Sequence, residues 1–134
     1  MNREKAENII KDYFRAWSTK DMALYSSTLD FGVKVTDNIS QMKNGIAQCE
    51  ESFVEWCDNT NQSKKFIIKD LIYDSRTKKA TIFWDVHTAG ENADDVDCNI
   101  MTIKFFKNKI SELNQYSLPH IDDNEAVMET ETLV

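Results

Sequence analysis

The spacing of apolar residues along this 134-residue chain settles into a strand period from about residue 65 onward, and that change constrains the fold more than any motif does. Before it, Ala6, Ile9, Ile10, Tyr13, Phe14 and Trp17 recur three and four apart, the period of one face of an α-helix. After it, runs such as ATIFWDVHT alternate side chains with the period of two that belongs to strands. Helices first and strands afterwards predict an α+β domain, with the helices gathered on one face of a curved antiparallel sheet.

The pattern can be followed in more detail. The first stripe predicts a helix over about residues 3–18. Thr19 or Asp21 then caps a shorter helix containing Met22, Leu24 and Tyr25. Phe31, Val33 and Val35 make a short strand that closes at Thr36-Asp37-Asn38. Asn44 or Gly45 opens a third helix whose inner stripe is Ile46, Cys49, Phe53, Trp56 and Cys57. KFIIKDLIYD and ATIFWDVHT form one hairpin across the turn SRTKK, and GENADD is a polar loop. VDCNIMTIKFF and ISELNQYSL form a second hairpin around Lys107-Asn108-Lys109, where Asn108 suits a positive φ. The expected order is α-α-β-α-β-β-β-β.

Composition narrows the function classes. The length suits one domain with a single core, and no stretch approaches the roughly 20 apolar residues of a membrane span. MNREKAENII lacks the apolar segment of a signal peptide, so a cytoplasmic protein is expected. Cys49, Cys57 and Cys98 are odd in number and lack CxxC spacing, which argues against a disulfide framework or a zinc site. Neither a cofactor nor a metal is expected.

The net charge of −7 is uneven. Residues 118–134 carry five acids and no Lys or Arg, leaving 16 − 18 = −2 for residues 1–117. The expected division is a domain over 1–117 and a flexible acidic tail over 118–134 that is either merely solvated or an autoinhibitory or partner-binding segment. An acidic chain without a basic stripe does not fit nucleic-acid binding, which needs clustered cations against phosphate.

Tyr13 and Asp37 are the candidate chemical pair. A phenol on the first helix and a carboxylate at the end of the first strand could converge in one apolar pocket. There the carboxylate would act as a base and the phenol as a hydrogen-bond donor. The plainer alternatives are a core tyrosine with its hydroxyl satisfied at the edge and an aspartate that forms a turn. His87 lies on the strand 80–88, on the side opposite Trp84; it lines a pocket only if the interior takes its side, and is otherwise structural. His120 sits among acids at the start of the tail, too flexible a segment to preorganise metal ligands. Trp17, Trp56, Phe53, Phe66, Phe105 and Phe106 provide apolar lining, and Met101 and Ile103 share one face of their strand.

YFRAWSTKDMALYSSTL and KFFKNKISELNQY resemble the opening and closing motifs of the nuclear transport factor 2-like superfamily, over about residues 5–117. The chain looks closest to the ketosteroid isomerase and SnoaL-like cyclase branches. The resemblance implies a cone-shaped, cystatin-like roll with the N-terminal helices on the concave face of its sheet, and dimerisation through the convex face. It aligns Tyr13 with the isomerase's oxyanion-hole tyrosine and Asp37 with its general base. It implies a small apolar or polycyclic ligand bound by Trp17, Phe53, Trp56, Met101 and Ile103, with Tyr13 or His87 as donor. The position matching the isomerase's second acid is Met101, which cannot donate a hydrogen bond. The resemblance therefore leaves three classes open, because this fold hosts several functions: a proton-transfer enzyme, a non-catalytic ligand-binding domain, or a protein-interaction module using the sheet face.

Overall fold

A computed structural model describes residues 1–37, 42–89 and 96–117. The acidic tail, the GENADD loop and His120 lie outside the described residues. The helix α1 spans Arg3–Thr19 and is capped at its start by the Asn2 side chain, which accepts from the Lys5 backbone N–H at 2.9 Å. It ends at Lys20, whose φ of 56° and ψ of 42° put the backbone in the left-handed region and stop the helix. The helix α2, Met22–Ser27, begins at once because the Asp21 carboxylate accepts from the Leu24 N–H at 3.0 Å. The helix α3, Ile46–Asn59, starts from Gly45, whose φ of 86° an L side chain would strain. The Gly45 N–H also donates to the Val33 carbonyl at 2.7 Å, tying the helix start to the neighbouring strand.

Six strands follow or interleave: β1 Leu29–Thr36, β2 Met42–Asn44, β3 Lys64–Asp74, β4 Lys79–Thr88, β5 Val96–Phe106 and β6 Lys109–Ser117. Their order in the single sheet is β2-β1-β6-β5-β4-β3. The sheet is curved and unclosed. Irregular registers between Ile68 and Asp70 and between Lys104 and Phe105 bend it locally. Lys107 and Asn108 turn the last hairpin with φ of 49° and 63°, as a two-residue connection of the primed type requires.

Two features depart from the expected order. β2 is an additional three-residue strand paired with β1, too short for alternation to reveal. β1 runs parallel to β6, so the sheet is mixed rather than wholly antiparallel. Alternation specifies which side chains share a face but not the direction of the partner strand, and these two strands meet from opposite ends of the domain.

The helices cover one face of the sheet. Ala6, Ile10, Tyr13, Phe14 and Ala16 form the buried stripe of α1, and Cys49 and Phe53 that of α3. They meet a sheet face built from Val33, Ile82, Met101, Ile103, Ile110 and Leu113, all fully buried. Phe14 bridges the layers, with its ring centroid 5.0 Å from Trp84 and 5.9 Å from Phe66. No described helix is long and apolar enough to cross a membrane.

Candidate functional site

Between the helices and the sheet lies a cavity of about 500 Å³. Its wall changes character across the sheet. On one side are Lys43 of β2, Asp37 just beyond β1, Gln115 of β6, and Asp97 and Asn99 of β5. On the other are Trp84 and Val86 of β4 and Phe66 of β3, with Lys64 at the strand's start. From above, α1 contributes Tyr13, Phe14 and Trp17, and α3 contributes Ser52 and Trp56. Period two explains the strand contributions: Asp97, Asn99 and Met101 share one face of β5, as Trp84 and Val86 do on β4. Helical spacing explains the others, since positions 13 and 17, like 52 and 56, are one turn apart. A smaller space of about 270 Å³ adjoins this cavity and shares Trp17, Trp56 and Lys64 with it.

Tyr13 is 5% exposed. Burial pushes its pKa well above the usual tyrosine value, a hydrogen bond from the Trp17 side chain opposes this, and the nearby Cys49 adds to it. Burial outweighs the rest, so Tyr13 keeps its proton at neutral pH. Behind it, burial raises Tyr25 as well, with Tyr13 and Cys49 as further causes. Burial also pushes the Cys49 thiol up, against a hydrogen bond from Tyr25. The site thus holds a neutral phenol in an aromatic layer, with Trp17 6.2 Å and Tyr25 5.8 Å from its ring.

The polar groups of the wall are partly committed. Lys64 Nζ donates to Thr88 Oγ1 at 2.7 Å, and Asn99 Nδ2 donates to the Asp97 carbonyl at 3.2 Å. Asn99 is buried, Asp97 lies at the exposed rim, and Asp37 and Lys43 are half-buried. Trp84 Nε1 is buried and finds no hydrogen-bond acceptor among the described residues. Among those residues, no group of three His, Cys, Asp or Glu side chains converges to hold a metal.

Of the residues expected at the site, Tyr13, Asp37, Trp17, Trp56 and Met101 line the cavity. Phe53 and Ile103, each 1% exposed, are not among its lining residues. Phe53 stacks on Tyr25 at 4.5 Å and meets Trp17 at 4.6 Å, so it supports the wall from behind. His87 pairs with Lys65 on the other face of the sheet, because the interior takes the Trp84 side. Phe105 is core, and Phe106 is 53% exposed. Asp97, Asn99, Gln115, Lys43 and Lys64 were not anticipated. The first two carry a readable signal: once Met101 faces inward, alternation brings 97 and 99 with it.

No family model matches the sequence, and no curated protein matches it. Solved structures do. A protein of unknown function with a cystatin-like fold from Methylobium petroleophilum PM1 superposes with a TM-score of 0.74 at 17% identity, over 92% of this chain and 82% of its own. A nuclear transport factor 2-like protein of unknown function from Burkholderia xenovorans LB400 gives 0.73 at 10%, over 96% and 94%. This chain has the nuclear transport factor 2-like fold. Within that fold, a candidate ketosteroid isomerase from Kribbella flavida DSM 17836 superposes at 0.71 with 11% identity, over 89% of this chain and 82% of its own. Identities this low convey the shared fold and leave the activity to be argued from the cavity.

Proposed function

We propose that this protein binds a small organic molecule with an apolar or polycyclic body and moves a proton on it, with Asp37 as base and Tyr13 as hydrogen-bond donor. One observation carries the reading. Tyr13 and Asp37, on separate elements and 24 positions apart, line the same cavity, with aromatic walls on one side and polar groups on the other. The Asp37 carboxylate takes a proton from the carbon beside a carbonyl; the C–H electron pair forms a C=C bond, and the C=O π pair moves onto the oxygen. The buried, protonated Tyr13 donates to that oxygen as its charge grows, and Asp37 then returns the proton. One such donor stabilises the charge by about 3 kcal/mol, or roughly a hundredfold in rate. His87, across the sheet from the cavity, has no part in this scheme.

The reading is tested with 2-acetylnaphthalene in D2O, following loss of its methyl signal by proton NMR. Wild type should accelerate deuterium exchange at the methyl group, and Asp37→Asn should abolish the acceleration while keeping the fold. Exchange undiminished in Asp37→Asn removes it as base. Binding without exchange makes the protein a non-catalytic ligand-binding domain.

We further propose that the protein is a homodimer through the sheet face turned away from the helices. Phe83, Ile100 and Tyr116 stand in register across three strands there, and Phe83 and Tyr116 are exposed. A monomer mass by light scattering at micromolar concentration would contradict this.

A further inference from the structure

Trp84 carries a polar atom for which the folding of the chain has no evident use. Its ring packs against Phe14, at 5.0 Å, and Phe66, at 5.8 Å, contacts that need an aromatic face but no nitrogen. The side chain is 5% exposed, and its Nε1 is buried with no acceptor among the described residues. An indole N–H can only donate, and burying a donor unpaired costs free energy that an apolar ring would not. Yet Trp84 lines the cavity. An unspent donor in the wall of a cavity is satisfied when the occupant brings an acceptor.

We propose that Trp84 is a second hydrogen-bond donor of the cavity, and that the ligand is a carbonyl-class molecule whose oxygen is held between Tyr13 and Trp84. This rests on the cavity reading above and adds to it a second residue that contacts the carbonyl oxygen. The register supports the assignment. Trp84 pairs with Asn99 and Ile82 with Met101, so Trp84 is the diagonal neighbour of Met101 on the inward face. Trp84 thus adds a donor to the wall that holds Asn99, its own partner, and Gln115, the partner of Met101. Phe14, the residue after Tyr13, lies against the Trp84 ring, so the phenol and the indole come from facing layers. Nε1 is covered when the cavity is empty, so contact with the ligand oxygen requires the indole to turn. The remaining inward groups fit an oxygen-rich ligand too. The Gln115 amide and the Lys43 ammonium line the cavity without a hydrogen bond or ion pair to any described residue.

Two probes of nearly one shape test the inference: 2-acetylnaphthalene, which carries a carbonyl oxygen, and 2-ethylnaphthalene, which does not. Trp84→Phe should weaken the ketone about tenfold, the scale of one hydrogen bond, and leave 2-ethylnaphthalene unchanged. Its unliganded melting temperature should equal or exceed that of wild type. In wild type, the chain's three tryptophans give three indole N–H resonances. The Trp84 resonance, assigned by elimination with Trp17→Phe and Trp56→Phe, should move downfield with the ketone and not with the hydrocarbon. Equal weakening of both probes by Trp84→Phe overturns the inference, as does a fixed Trp84 resonance while those of Trp17 and Trp56 shift. Either result leaves the proposed cavity intact. Binding of neither probe by wild type overturns both.

Discussion

Replacing Tyr13 by phenylalanine deletes one oxygen and keeps a ring that touches Phe14 at 5.5 Å, Trp17 at 6.2 Å and Tyr25 at 5.8 Å. At neutral pH the variant loses the polar contact between the phenol and the Trp17 side chain, which costs at most about 1 kcal/mol of stability. In alkali the balance shifts. A tyrosine in the unfolded chain ionises near its ordinary value of about 10, whereas burial keeps the folded Tyr13 protonated well above it. Above pH 10 the unfolded state sheds a proton that the folded state retains, so this group's contribution is complete below pH 10 and lost as pH rises towards the folded value. The loss is about 1.4 kcal/mol per pH unit for each such group. Tyr25 and the three raised thiols give wild type further alkaline loss, but burial, the main cause for each, is common to both proteins and cancels to first order in the difference. Tyr13→Phe should therefore begin at most about 1 kcal/mol below wild type and overtake it by about one pH unit above 10. Urea unfolding followed by far-ultraviolet circular dichroism, with reductant present, from pH 8 to 11.5 measures both curves. Parallel curves would mean that the phenol ionises as readily folded as unfolded. The buried, protonated donor at the centre of the proposed chemistry would then be refuted.

Two more outcomes follow from packing. Phe53→Ala should cost about 3–5 kcal/mol, because the ring is fully enclosed by Trp17 and Tyr25 and leaves a void. A loss below about 1 kcal/mol in urea unfolding would place the ring against open space. Phe83→Glu should convert the proposed dimer to monomer while preserving the circular dichroism spectrum, since a charge in an apolar strip loses its hydration on pairing. An unchanged sedimentation coefficient would count against that face.

The helical stripe of α1 and the alternation of β3 to β6 were legible because a period survives whatever the partner is. Depth was not. Phe53 and Ile103 have the same inward phase as Trp56 and Met101, yet two lie behind the wall and two form it, since periodicity reports direction and not distance from a cavity. The choice between the two faces of β4 was closer to hand. Ala80, Ile82, Trp84 and Val86 are uniformly apolar, whereas the opposite set includes Asp85 and His87, so the interior takes the Trp84 side. Lys43 and Gln115 stayed hidden for another reason. They reach the cavity through β2 pairing on β1 and β1 pairing on β6, long-range choices with no local trace.

The parallel contact of β1 with β6 also fixes when this site can exist. Val35 meets Leu113 and Thr36 meets Asn114, so the strand that delivers Asp37 has no neighbour on that flank until residues 109–117 are available. As the chain emerges from a ribosome, Tyr13 and Asp37 are made well before residues 109–117, and they wait for nearly all of the remaining domain before facing each other. Closing that long loop is slow relative to local helix and hairpin formation. The nascent protein therefore carries both reactive groups long before it has a place to use them.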